Sequence, residues 1–171
     1  MGGAKVDNEI KEQFGDLVVK ARASELASWA EQPHGALALI VLLDQFSRNI
    51  FRGSPLSYSS DSVALEVATE AIAKGFDREV THLQQSFFYL PLMHSESLLG
   101  QIAALSLYEN LCHRCEPDSM SKEYAESSTQ FSRLHRDVIM RFGRFPSRNE
   151  VLGRISTPEE IKFLKEHPSG F

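Results

Sequence analysis

Residues 36–43 read ALALIVLL, eight apolar side chains in succession. Wound as a helix, this run has no polar face, and a helix that is apolar all round is buried on every side. A short strand would show the same pattern, but no strand-like partner is visible elsewhere, so the run is assigned to helix. The chain passes straight from it into Asp44-Gln45-Phe46-Ser47-Arg48-Asn49-Ile50-Phe51-Arg52. Charges at the end of a buried helix must be paired or solvated in a cavity. Asp44 and Arg48, four residues apart, share a helix face and pair, with Gln45, Asn49 and Arg52 on an adjoining face. The cluster is either an ion-pair network that locks helix packing or part of a polar site.

The remaining segments also read as helix. Val6, Ile10, Phe14, Leu17, Val18, Ala21 and Trp29 recur near a 3.6-residue period, predicting a helix from Val6 to about Ala30, broken by Pro33-His34-Gly35. Gly53-Ser54-Pro55 is a turn. Ser59, Ser60 and Asp61 offer caps for a helix to about Lys74, closed by Gly75. A further helix begins near Thr81 and carries Phe87, Phe88 and Leu90, with Pro91 kinking or interrupting it. Leu98–Leu111 continues as helix, and Glu116-Pro117-Asp118 is a loop. Ser121–Phe142 is a long amphipathic helix with Tyr124, Phe131, His135, Val138 and Phe142 on one stripe. Ser147–Glu150 and Thr157–Glu160 both fit the capping box, each predicting the start of a short helix. A length of 171 residues fits one domain. The fold expected is a single all-α domain over 1–171, with antiparallel helix hairpins stacked in a bundle or short superhelix.

Charge is unevenly distributed. The chain carries a net charge of −5, yet six arginines stand against only Asp137 and Glu150 between Arg133 and Arg154. Such an excess suggests anion recognition or an ion-pair network. The acidic balance, and the apolar Val138, Ile139, Phe142 and Phe145 inside the basic stretch, argue against nucleic acid as a partner. No apolar run approaches the roughly 20 residues that span a bilayer, and the N-terminus lacks the basic-then-apolar pattern of a secretory signal. No membrane partner is expected, and the expected location is cytoplasmic. Cys112 and Cys115 form a single C-x-x-C on a helix end with no second pair to complete a structural zinc site. P-loop, Rossmann, zincin and serine-hydrolase signatures are absent, so no cofactor or metal is expected.

Two further polar segments emerge from apolar helices. In Leu90–Glu96, His94 is a candidate acid/base group because an imidazole titrates near neutrality. On a regular helix His94 and Glu96 would point apart. In the third segment, His135 shares the apolar stripe and should face inward, while Asp137 and Arg141, four apart, pair. Beyond Gly143 the chain leaves the helix, and Arg144, Arg148 and Asn149 project from irregular backbone. Guanidinium forks there suit a carboxylate or phosphate, or they bond the exposed carbonyls of helix C-termini.

The words LLDQFSRNIFRG (42–53), YLPLMHSE (89–96) and HRDVIMRFGRFPSRNEVLGRISTPEE (135–160) resemble the family known as domain of unknown function 924. The likeness extends over nearly the whole chain, including SDSVALEVATEAIAKGFD (60–77). It implies an all-α fold similar to a tetratricopeptide-like superhelix and leaves the activity open. Ser47 departs from the proline usual in the family. The aromatic F-W-F segment usual upstream is also absent, which would leave a more open site or one completed by a partner's surface.

Three readings follow. In the first, a small anionic or polar molecule binds among these segments. Asp44, His94, Glu96, His135 and Asp137 would be candidate acid/base groups. Gln45, Arg48, Asn49, Arg52, Arg141, Arg144, Arg148 and Asn149 would be candidate ligand-binding groups. Hydrolysis, elimination, isomerisation or cyclisation would be open to such a site. In the second, a superhelical groove takes an acidic peptide without catalysis. In the third, the same residues form a structural lattice. No nucleophile stands out, so the sequence leaves open whether the protein is an enzyme, and also whether it forms a homo-oligomer.

Overall fold

The computed structural model describes residues 3–168 and 170–171, and its described residues contain helices and no strand. The chain divides into two compact units, Met1–Pro91 and Leu92–Phe171.

The first unit holds α1 (Ala4–Arg22), α2 (Pro33–Ile40), α3 (Ser47–Ile50) and α4 (Asp61–Ala73), and most of α5 (His82–His94). α1 is shorter than its apolar period predicts. Ser24 takes a left-handed φ of +61°, which breaks the helix, and Ala27–Glu31 resumes as a separate 3-10 turn. Pro33 opens α2 at its first position, where a proline's missing N–H is no loss. Gly35 is required there: a Cβ would meet the carbonyl oxygen of Trp29 at 2.2 Å. The apolar run is helical, as expected, but from Val41 to Phe46 it widens into a π-helical turn. The Ser47 hydroxyl donates across this turn to Leu42 O, five residues back (3.2 Å). Leu39, Leu42 and Leu43 pack with Val18, Ala21 and Ala64 in one core cluster. Each fully buried leucine contributes about 1.5–3 kcal/mol.

α5 begins with a reciprocal cap. Thr81 N donates to Gln84 Oε1 (3.1 Å) and Gln84 N to Thr81 Oγ1 (3.3 Å). The helix continues three residues past Pro91, whose missing N–H interrupts the ladder without ending it. A buried triad joins Asp77 to this helix: Tyr89 Oη and Gln85 Nε2 both donate to Asp77 Oδ2, at 2.7 and 2.8 Å.

The second unit contains α6 (Leu98–Arg114), α7 (Met120–Phe142) and α8 (Pro158–Glu166). α6 and α7 pack as an antiparallel hairpin, tied at its tip by Lys122 donating to Cys112 O (2.8 Å) and further along by Arg133 to Glu109 (2.8 Å). Gly143 ends α7 in the left-handed region (φ +69°) and releases the chain into the irregular segment. Val138, Ile139, Phe145 and Phe163 form this unit's core cluster. Of the two expected capping boxes, Thr157–Glu160 forms in full. Ser147–Glu150 does not start a helix. Pro146–Arg148 is a single 3-10 turn, and the chain runs on through turns to Thr157.

Candidate functional site

In the first unit, the polar residues after the apolar run bond carboxylates. Asp44 is completely buried and accepts from Arg48 Nη2 at 3.1 Å and from the amide of Gln45. The same Arg48 nitrogen reaches both oxygens of Asp61 (3.0 and 3.1 Å), and the guanidinium lies 5.2 Å from the Tyr58 ring. Burial opposes the Arg48 charge, but Asp44 and Asp61 outweigh it and hold its pKa above the ordinary value. Its Nε is buried without a hydrogen-bond partner among the described residues. Beside this group, Asn49 donates to Asp7 (2.8 Å) and Arg52 grips it through Nε and Nη2 (2.7 and 2.9 Å). The hydrogen bonds from Arg52 and Asn49 lower Asp7 to a pKa of about 2.

The second unit is organised around the end of α5. The helix ends at His94, so Glu96 lies in the following turn and not on the helical face the spacing implied. Gln101, wholly buried, donates from one amide nitrogen to Met93 O and Ser95 O, both at 2.7 Å. Arg148 Nη2 donates to His94 O (2.7 Å), with its guanidinium 4.5 Å above the Phe145 ring. Phe145 N and both terminal nitrogens of Arg154 donate to Glu96 at 2.7–3.0 Å. Burial works against the Glu96 charge, yet Arg154 and the Phe145 N–H leave its pKa below the ordinary value. Three consecutive carbonyls and the Glu96 carboxylate are thus held in place at the end of α5.

His135, from α7, comes to the same place. Its ring centroid lies 6.2 Å from that of His94, 5.4 Å from Phe145 and 4.5 Å from Phe171. His135 is half-buried, so it faces inward only in part. Its Nδ1 bonds Phe131 O at 2.8 Å. A carbonyl only accepts, so Nδ1 carries the hydrogen and the neutral ring keeps its lone pair on Nε2. His94, His135 and Arg148 thus lie close together.

The other arginines of the basic stretch are matched with carboxylates. Arg144 forks onto Glu160 (2.7 and 2.8 Å), which is 2% exposed and also accepts from Thr157 N (2.7 Å) and Asn149 Nδ2 (3.3 Å). Arg144 is the main cause that holds Glu160 at a pKa of about 2. Asn149, 1% exposed, accepts from Arg154 Nε (2.9 Å) and so joins the Glu160 and Glu96 groups. Asp137 and Arg141 do not pair. Asp137 accepts from the adjacent Arg136 (2.6 and 2.9 Å), while Arg141 forks onto Glu159 of α8 (2.8 and 3.0 Å). Two guanidinium nitrogens converge on one Glu159 oxygen across the α7–α8 contact, in place of the helical neighbour. Asp137 and Arg141 nonetheless line a small cleft of about 150 Å³ with Leu134, Phe163, His167 and Phe171. Asp7, Asp61, Glu160, Arg154 and Phe171 were not among the site residues expected from the sequence. Thr157–Glu160 carried a capping signal, but the partner arginine lies 16 residues away.

The chain belongs to the bacterial proteins of unknown function designated DUF924, whose pattern matches residues 1–168. A solved structure of a protein of unknown function from Agrobacterium tumefaciens is 40% identical, with a TM-score of 0.80 over 96% of this chain and 86% of that one. No curated protein matches the chain. Among the described residues, no helix is long and apolar enough to cross a membrane, and no group of three or more His, Cys, Asp or Glu could hold a metal ion.

Proposed function

We propose that the second unit binds a small anionic molecule of the carboxylate or phosphate class beside His94, His135 and Arg148, and that the histidines exchange a proton with it. The supporting observation is the 6.2 Å approach of two imidazoles next to a guanidinium anchored on His94 O. A guanidinium suits a planar or tetrahedral oxyanion, and an imidazole is the side chain best matched to proton transfer near neutral pH. The lone pair on His135 Nε2 gives that ring the role of base in its neutral form. Hydrolysis, elimination, isomerisation and cyclisation all use such a step.

Histidine ring resonances followed by NMR during a titration with inorganic phosphate test this reading. Both rings shift along one saturable curve in the wild type. Arg148→Ala, still melting cooperatively, loses saturation. Equal saturation in Arg148→Ala, or no shift in either ring, overturns it.

A second reading, peptide docking without catalysis, draws support from Leu98, Leu99 and Ile102, which leave an exposed apolar row on α6. It predicts retention of a peptide partner and no response to phosphate.

A further inference from the structure

Cys112 and Cys115 lie outside the site described above. Cys112 is on the last turn of α6, and Cys115 caps that helix with its N–H donating to Leu111 O (3.1 Å). Helical rise and radius place residues three apart at about 5 Å between Cα atoms. A disulfide accepts roughly 4.4–6.8 Å. Both thiols are free. Their surroundings differ. Cys112 is half-buried and lines an open groove of about 450 Å³ between α6 and α7, with Glu109, His113, Glu126, Gln130 and Arg133. The Lys122 ammonium, which also pairs with Glu126 (3.7 Å), donates to Cys112 Sγ at 3.4 Å. Cys115 is 6% exposed, and burial, reinforced by the nearby Cys112, pushes its thiol pKa up.

We infer that Cys112 and Cys115 form a peroxide-reactive dithiol, with Cys112 as the attacking sulfur and Cys115 as the resolving one. The groove admits a small hydroperoxide to Cys112, and Lys122 faces the negative charge on the attacking sulfur. Cys112 sulfur attacks one peroxide oxygen and the O–O bond breaks. One water leaves and Cys112 becomes a sulfenic acid. The Cys115 sulfur then displaces that oxygen: the S–O bond breaks, the S–S bond forms and a second water leaves with the Cys115 proton. The two thiols lose two electrons, and the peroxide gains them. Residues 116–118 lie outside any helix, so Cys115 can turn toward Cys112 without unwinding α6. The same turn takes Cys112 Sγ from Lys122 and loosens the tip of the α6–α7 hairpin. A disulfide closing so short a loop is readily reduced, as a reversible modification requires.

The test treats the full chain with hydrogen peroxide in small excess and measures intact mass without reductant. The expected product is a monomer lighter by two hydrogens, restored by dithiothreitol. Cys115→Ser halts at a Cys112 sulfenic acid captured by dimedone, and Cys112→Ser does not react at the same dose. Lys122→Met slows dimedone capture in the Cys115→Ser background by about three- to tenfold. Two titratable thiols after treatment, a disulfide between two chains, or a wild-type Cys112 carried to sulfinic acid overturns the inference.

Discussion

The first unit's cluster around Asp44 and the second unit's cluster around His94 use the same residue types to different ends. In the first, Arg48 and Arg52 bond the carboxylates of Asp44, Asp61 and Asp7, and the most buried member is Asp44, with no exposed surface. In the second, Arg144 and Arg154 bond Glu160 and Glu96, and Arg148, whose charge also helps to lower the Glu96 pKa, holds a backbone carbonyl beside two imidazoles. Charge matched by charge in a buried place is a device for fixing helices. A cation directed at a carbonyl beside titratable rings is suited to recognising something else. Under the proposed function, the first arrangement holds the fold and the second meets a ligand.

The largest expected effect is on the fold-holding side. Asp44→Ala removes one of the two carboxylates on Arg48, leaves Asp61 as the other and opens a cavity, and costs about 1–3 kcal/mol, read as a shift in urea midpoint. A loss below about 1 kcal/mol would move Asp44 to the ligand-facing class. His135→Ala, by the same comparison, shifts the midpoint less than Asp44→Ala does.

Acid sharpens the contrast next. Glu160 and Asp7 have folded pKa values of about 2, below their ordinary 4.5 and 3.8. A carboxylate with a depressed folded pKa stabilises the fold above its unfolded value, and that stability is lost as pH falls through the folded value. Unfolding free energy is therefore flat above about pH 5 and declines toward pH 2. Glu160→Gln starts less stable and declines with a shallower slope. An unchanged slope would remove Glu160 from the acid response.

Smaller effects follow. Thr157→Ala removes the cap that shares Glu160 and costs about 1 kcal/mol. Asp137→Asn, an exposed partner of Arg136, changes stability by less than about 0.5 kcal/mol. A larger loss there would place Asp137 with the fold-holding residues.

Local signals were legible in the sequence where local physics decides them. The helix expected from Ser59 to about Lys74 forms as Asp61–Ala73, closed by Gly75 at φ +80°. Asp44 and Arg48 pair across one helical turn, and Asp61, 13 residues on, joins them as a second carboxylate that the spacing did not flag. The π-helical turn was not legible, since apolar periodicity does not record one extra residue in a turn. The end of α1 was hidden because a single serine in a left-handed conformation leaves no mark in composition. Asp137 and Arg141 carried the right spacing, and α8 supplied a stronger partner from 18 residues away. Asp7 and Glu160 were invisible as site members for the same reason: their arginines lie 45 and 16 residues distant.

The most direct measurement is urea unfolding with and without inorganic phosphate, for the wild type and for His94→Phe/His135→Phe. Phosphate that binds the folded state alone stabilises the wild type in proportion to RT ln(1 + [L]/Kd). The prediction is a phosphate-dependent rise in midpoint for the wild type, absent in the double variant. Equal stabilisation of both proteins, or none in the wild type, would contradict the assignment of His94 and His135 to a ligand.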